Sequence, residues 1–461
     1  MGSARSLRQN QGAMAAGLEV TRAHSVVAPR RFFNWALALY LAVIIGRVHE
    51  MLPILSRLYI GKVSAALLIA ATAMQIKRPD VVNAAKSQTA KYLFALTLLA
   101  LLSVPGSAWP RQSFSFFTDW WPQVLLLFVC VCAGFANRRT AFVSVFALTA
   151  TAALAAFLML TRQALGGRAF IGDGMPTTYD ANMSAAFLVA VLPYPIMLAR
   201  WRGAVRWVCL AIIPILIAGI LKTASRGGII ALGVVGLSML WLVGPRYRKA
   251  YLLVLVVVLA LVPAMPHQQL VQRWDELNTA TDYNFTARGG RLEIWKRGIG
   301  FMTSHPLLGV GVRAYEVAGG ITANSWLNAH NALIQIGAEL GIGGLVLFLL
   351  VIAAAFRAGF RVRRWSAPAS GPPRESDLTY LLATAAICSL IGTLSAAMFL
   401  SMAYDALTIF TFAVPTGLAL VAPVAAARPV RALSAPTAVG TPGWRTNRRL
   451  PAKGLGLQTP R

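Results

Sequence analysis

The chain has 461 residues, of which 57% are hydrophobic and only 13% charged, and its formal net charge is +28. Soluble domains carry about 25% charged residues, whereas many stretches here run for about 16–25 residues without a charge, which is long enough to cross a bilayer. The composition therefore predicts an all-α polytopic membrane protein. A β-barrel is disfavoured, because barrel strands are short and alternate in polarity. The excess positive charge lies in the tails and in short connections, as expected for contact with membrane lipids, so no nucleic-acid partner is expected.

Twelve apolar runs predict about twelve transmembrane helices with both termini in the cytoplasm. Positive residues cluster in every second connection, and Lys or Arg beside a span marks the cytoplasmic side. The first thirty residues contain no apolar core or cleavage site, so the N-terminus is expected to stay inside. The predicted spans are 32–47, 58–75, 91–106, 119–136, 141–160, 183–199, 206–221, 228–243, 250–264, 331–354, 378–400 and 405–424.

On this topology, residues 32–424 form one membrane domain between two basic tails, 1–31 and 425–461, that are predicted to be disordered. The longest external loop is 265–330, between the ninth and tenth helices. Within it, residues 292–302 have the apolar spacing of a helix. The loop is therefore predicted to be helical and to pack on the membrane surface.

The external connection before the eighth helix carries Ser225, Arg226, Gly227 and Gly228. Ser225 is predicted to cap the helix, and the two glycines allow a ligand to approach the backbone. Free N–H groups, the positive helix end and the Arg226 guanidinium together make a candidate anion site. The alternative is a short hairpin whose arginine reaches lipid headgroups.

The sixth helix begins on the same face, after Arg168 and the sequence Tyr179-Asp180-Ala181-Asn182. Asp180 or Asn182 is predicted to cap this helix. Arg168 then supplies a second cationic group beside a second positive helix end. The alternative is a capped helix that follows a glycine-rich loop and binds nothing.

The long loop contains Arg288 and Arg291 on either side of two glycines, and a second glycine-rich stretch at 305–313. This stretch is not a nucleotide fingerprint, since no strand–turn–helix unit surrounds it. The stretch is interpreted as a turn. His305, which lies next to a proline, is interpreted as a structural residue.

His330 and Asn331 open the tenth span on the external face. A positive helix end disfavours imidazolium, so His330 is expected to be neutral near pH 7 and able to accept a proton. The alternative is a polar cap. Glu339 lies about two turns deeper, as either a helix-pairing or a functional carboxylate.

Three helix starts bearing Arg or His on one face suit an anionic lipid headgroup, particularly a pyrophosphate, because a guanidinium binds two oxygens at once. A neutral histidine suits deprotonation of a hydroxyl. The simplest reaction that uses both is glycosyl transfer from a lipid pyrophosphate, with arginines stabilising the leaving group. No His/Cys/Asp cluster has metal-ligand spacing, so a metal-free site without a cofactor is expected.

These residues resemble the O-antigen ligase superfamily of bacterial envelope proteins, which includes lipopolysaccharide O-antigen ligases and related polysaccharide polymerases. The resemblance covers about residues 160–355, and the first five spans match only in hydropathy. The residues that carry it are Ser225-Arg226-Gly227-Gly228, Arg291 to Trp295, His305 to Gly311, His330-Asn331 through Gln335, and Glu339-Leu340-Gly341.

The resemblance implies a metal-independent glycosyltransferase of the bacterial inner membrane, with a periplasmic active site and an undecaprenyl-pyrophosphate glycan donor. The acceptor is lipid A-core, a growing glycan or a protein hydroxyl. An essential loop histidine of the family maps onto His330. The pyrophosphate-binding arginines map onto Arg226, Arg168 and Arg291, and the flanking Arg288, Asn182 and Asn331 complete the expected substrate-binding set.

The sequence is compatible with three functions. A ligase moves a whole glycan to its acceptor, and a polymerase extends an O-antigen or exopolysaccharide with the same donor. A transporter, for bicarbonate as an example, is the alternative of another class. It should place charges or broken helices near the bilayer midplane, whereas the polar residues here lie at one end of the spans.

Overall fold

The computed structural model describes residues 30–161, 180–201, 203–243, 290–367 and 375–420, with five further residues between 248 and 256. The described residues form helices joined by turns and short loops, and no strand occurs among them. The predicted all-α class is therefore confirmed for this part of the chain. Nearly all of the predicted tails and ninth span, and the first part of the long loop, lie outside the described residues.

Within the described residues, every predicted span other than the ninth coincides with a helix. A π-helical turn at Phe116–Trp120 joins the helices Pro110–Ser115 and Trp121–Phe135. The α-helices in chain order are α1 (Arg31–Ile44), α2 (Val48–Met51), α3 (Pro53–Ser56), α4 (Ile60–Gln75), α5 (Arg78–Lys86), α6 (Gln88–Leu102), α7 (Pro110–Ser115), α8 (Trp121–Phe135), α9 (Arg138–Thr161), α10 (Ala181–Val191), α11 (Pro193–Leu198), α12 (Ala204–Lys222), α13 (Arg226–Leu242), α14 (Arg291–Ser304), α15 (Tyr315–Ala323), α16 (Ala332–Trp365), α17 (Glu375–Ala397) and α18 (Ala406–Ala419).

Six of the described helical segments are long and apolar enough to cross a membrane, so the predicted count of twelve is not confirmed. A seventh is obtained if α4 and α5, bent by 112°, are taken as one broken span. The helices α1, α6, α13 and α18 are apolar but have only 14–17 residues. At 1.5 Å per residue they are about 21–26 Å long, short of the ~30 Å hydrocarbon core.

Small residues allow the central helices to approach closely. Gly417 in α18 packs on the backbone of Cys132 in α8, and Gly392 in α17 packs on Val189 and Val235. A side chain at either glycine would overlap these neighbours. Such contacts are typical of membrane bundles, where van der Waals packing holds the helices together.

Capped helix starts gather at one end of the bundle. The side chains of Asp180, Ser225, Asn331 and Asp405 accept hydrogen bonds from the first free N–H groups of α10, α13, α16 and α18. The predicted caps Asp180 and Ser225 are thus confirmed. At the opposite end of α13 and α16, Arg363 donates to the Leu242 carbonyl at 2.6 Å.

The long helix α16 is broken at Gly341, whose backbone has φ 70° and ψ −169°. The loop at 306–311 fills the break. Val310 and Gly311 donate their N–H groups to the carbonyls of Ala338 and Glu339, and Ile342 donates to Pro306. The glycine-rich turn and the Glu339-Leu340-Gly341 sequence therefore form one backbone clamp, named here the loop–helix clamp (residues 306–311 and 338–342).

Candidate active site

The starts of α10 and α13 are joined directly by side chains. The Ser225 hydroxyl donates to Asn182 Oδ1 at 2.8 Å, and the Asn182 amide nitrogen lies 3.3 Å from Asp180 Oδ2. Gly228 faces Ala185 so closely that a side chain there would collide. The glycine therefore brings the positive ends of two helix dipoles together, which favours an anion at this point.

Arg226 is the first residue of α13, and its side chain is half-buried. Beside it, Gly227 packs on Phe399. The Arg291 guanidinium, at the start of α14, lies 6.0 Å from the centre of the Phe399 ring. Phe399 thus contacts the segments that carry two of the three predicted pyrophosphate-binding arginines, Arg226 and Arg291.

His330 lies immediately before the cap of α16, in the left-handed region with φ 48°. Its N–H donates to Ser401 Oγ at 2.8 Å. Burial is the main cause that lowers the pKa of its imidazole, and the neighbouring Arg291 lowers it further, while Asp180 raises it. This shift has the same direction as the one predicted from the helix end, and burial is its main cause.

The segment before His330 is held by α14. The Trp295 indole N–H donates to the Ala329 carbonyl at 3.1 Å, and the Tyr315 hydroxyl donates to the Ile294 carbonyl at 2.6 Å. Asn331, almost fully buried, uses its Oδ1 to cap α16. The Trp295 contact therefore holds the start of α14 next to the segment that carries His330 and Asn331.

The structure does not describe every residue of the predicted site. Arg168 and Arg288 lie outside the described residues. His305 is exposed and contacts the Ser304 hydroxyl at 2.9 Å through Nδ1. In the part of the chain that the structure describes, no three His, Cys, Asp or Glu side chains come close enough together to hold a metal ion.

A polar cavity of about 540 Å³ adjoins this group of residues. Its wall comes from the turn after α1, the α7–α8 segment, the first turn of α10 and the loops before α15, α16 and α18. Ser401 lines the cavity and also holds the His330 backbone, so His330 is next to the wall. The other lining residues are polar or aromatic with one methionine: Arg47, Gln112, Ser115, Phe116, Asp119, Trp120, Met183, Arg313, Asn328, Tyr404 and Asp405.

The backbone is constrained around the cavity. Arg47 and Arg313, like His330, have positive φ values, 53° and 60°. A left-handed residue other than glycine costs roughly 1–2 kcal/mol, and such residues concentrate at functional sites. Glu339 supports Arg313, because its buried carboxylate accepts the Arg313 N–H at 3.0 Å. Glu339 thus joins the loop–helix clamp to the cavity.

The comparisons with known proteins agree with the sequence motifs. The family model described as O-antigen ligase matches residues 215–349, and no curated protein matches the chain significantly. The matched part contains Arg226, Arg291, His330 and the loop–helix clamp, whereas Arg47, the α7–α8 segment and the loop before α18 lie outside it. The O-antigen ligase domain at residues 215–349 supports the assignment of this chain to the O-antigen ligase superfamily, as its motifs predicted.

Proposed function

We propose that the chain transfers a glycan from an undecaprenyl-pyrophosphate carrier to an acceptor hydroxyl. The observation that carries the proposal is the position of His330, a partly buried imidazole that Arg291 and Asp180 both influence. The family match over the same residues supports glycan transfer at the level of the family. The proposed location is the periplasmic face of a bacterial inner membrane.

In the proposed step, the acceptor oxygen attacks the carbon that joins the sugar to the pyrophosphate. A new C–O bond forms, the old C–O bond breaks, and its electron pair remains on the pyrophosphate oxygen. The hydroxyl proton passes to the His330 imidazole, as in general-base catalysis. Asp180, which raises the pKa of His330, stabilises the imidazolium. No electron transfer, metal or cofactor takes part in this scheme.

Arg226 and Arg291 hold the pyrophosphate in this proposal. A guanidinium binds two phosphate oxygens at once, and the N-termini of α10 and α13 add backbone dipoles of the same sign. As the bond breaks, negative charge grows on the leaving oxygen, so these groups bind the transition state more strongly than the substrate. Arg168 and Arg288 remain predicted members of the set.

Asn182 and Asn331 use their side-chain oxygens within the protein, the first for Ser225 and the second for the cap of α16. We propose that both fix the positions of Arg226 and His330. Their predicted contact with substrate remains a prediction.

A ligase and a polymerase share this donor chemistry and differ in the acceptor, which is lipid A-core for one and a growing glycan for the other. The transporter alternative predicts charged residues or broken helices near the bilayer midplane. The break at Gly341 in α16 is instead filled by the backbone of residues 306–311. We therefore favour transfer over transport.

Reconstitution tests the proposal. The purified chain in proteoliposomes is supplied with a lipid-pyrophosphate glycan and either lipid A-core or a second glycan, and the products are separated by size. We expect one glycan joined to lipid A-core if the chain is a ligase, and a longer glycan if it is a polymerase. Donor left unchanged with every acceptor would contradict the proposal.

Thiol labelling tests the proposed face of the membrane. The four native cysteines are buried, so an added cysteine dominates the labelling. With a membrane-impermeant reagent, Glu316→Cys in α15 should react from outside the inner membrane. Arg139→Cys, exposed at the start of α9 and thus at the far end of the bundle, should react only after permeabilisation. The reverse pattern would place the site in the cytoplasm.

A further inference from the structure

The proposed transfer uses Arg226, Arg291 and His330 but leaves the 540 Å³ cavity beside them without a role. Cavities of about 300–1,000 Å³ are typical of small-molecule sites. This one is open to solvent on one side, and its wall combines planar polar groups with aromatic rings. Its chemistry indicates what it binds.

The charges of the cavity wall are balanced. Arg47 and Arg313 are matched by Asp119 and Asp405. Arg47 also forms an ion pair with Glu50 at 3.2 Å. A phosphate would meet two carboxylates here, and like charges close together are unfavourable. The wall therefore suits an uncharged polar ligand, in contrast to the pair Arg226 and Arg291.

The wall also presents both hydrogen-bond donors and hydrogen-bond acceptors. Carboxylates accept, guanidinium groups donate, and the amides of Gln112 and Asn328 do both, which matches the alternating needs of hydroxyl groups. Phe116 and Tyr404 pack with ring centres 5.2 Å apart, and the Trp120 indole N–H donates to the Tyr404 carbonyl at 3.1 Å. Phe116 and Tyr404 are almost fully buried, so these contacts form a rigid backing for the polar wall.

We propose that this cavity is the acceptor-saccharide subsite, which holds the sugar whose hydroxyl attacks. A sugar ring has hydroxyl groups around its edge, and these match the donors and acceptors of the wall. Ser401 provides the link to the reaction, because it lines the cavity and holds the His330 backbone. The acceptor assignment rests on the proposed function, whereas the binding of a saccharide is tested without it.

Binding is measured on the full chain in detergent with two probes, namely core oligosaccharide that has been dephosphorylated and carboxyl-reduced so that it is uncharged, and inorganic pyrophosphate. Asp119→Asn and Asn328→Ala change exposed residues of the cavity, so folding does not depend on them. We expect each to weaken oligosaccharide binding about tenfold, as for one lost hydrogen bond to the ligand, and to leave pyrophosphate binding unchanged. Glu316→Gln, an exposed carboxylate in α15, is the matched control and should change neither.

Transfer assays distinguish a defect in acceptor binding from a defect in donor binding. The same two variants should raise the KM for the acceptor about tenfold and leave the KM for the donor unchanged. A rise in the donor KM alone would overturn the acceptor assignment. Unchanged oligosaccharide binding in both variants, or weakened pyrophosphate binding, would overturn the saccharide site. Failure of the wild type to transfer, with oligosaccharide binding intact, would instead contradict the proposed function.

Discussion

Gly309→Ala is expected to destabilise the protein strongly, because a side chain has no room at this position. Gly309 has φ +62°, and an added Cβ would overlap the backbone of Ala338 and Glu339. The carbonyls of those residues accept the hydrogen bonds of Val310 and Gly311 in the loop–helix clamp. The loop therefore cannot move away without breaking both hydrogen bonds.

The size of the effect follows from these contacts. Alanine in the left-handed region costs roughly 1–2 kcal/mol, and losing two hydrogen bonds costs about 1–3 kcal/mol. Together the free energy of unfolding should fall by on the order of 2–5 kcal/mol. At roughly 2 °C per kcal/mol for a chain of this size, Tm should drop by about 4–10 °C.

The assay is thermal unfolding of the purified chain in one detergent at one scan rate. Gly300→Ala is the matched control, since Gly300 lies in α14 with open space where a Cβ would be. Its Tm should stay constant or rise slightly, because alanine favours a helix over glycine. Equal Tm values for the two variants would refute the steric argument for the clamp.

The remaining predictions concern transfer by the reconstituted chain. Arg226→Lys should lower kcat about 10–100-fold, because an ammonium cannot bind two phosphate oxygens in one plane. The control Arg206→Lys changes an exposed arginine at the other end of the bundle and should leave kcat unchanged. Equal kcat values for the two variants would contradict the bidentate role of Arg226. Because burial and Arg291 lower the pKa of His330 from its ordinary 6.5, the base should stay neutral at pH 6.5 and kcat/KM should fall only below it. Arg291→Gln should move that fall to higher pH, and a wild-type fall above pH 6.5 would contradict the assignment. EDTA should leave the rate unchanged, and loss of activity restored by a divalent ion would contradict the metal-free scheme.

Local signals predicted the helix starts well. A capping residue before an apolar run has a short-range cause, so Asp180 and Ser225 could be read from the sequence. The same signal stands at Asp405, which precedes α18 and lines the cavity. The sequence therefore marks Asp405 as a cap, but no feature of the sequence links Asp405 to the active site.

The cavity itself had no local signal. Arg47, the α7–α8 segment and the loop before α18 are far apart in the sequence and meet only through packing of the bundle. The break at Gly341 was also missed, since an isolated glycine in an apolar run does not reveal that a distant loop will fill it. Hydropathy alone does not fix the number of membrane crossings, because it counts apolar helices of 14–17 residues as spans although they are shorter than a usual crossing.

Transfer by His330→Ala tests the central claim most directly, with His305→Ala as the matched control. The first removes the partly buried imidazole beside Arg291 and Asp180, and the second removes an exposed one. We expect His330→Ala to bind the lipid-pyrophosphate donor with wild-type affinity but to form no product, while His305→Ala transfers normally. Wild-type product from His330→Ala would contradict the account.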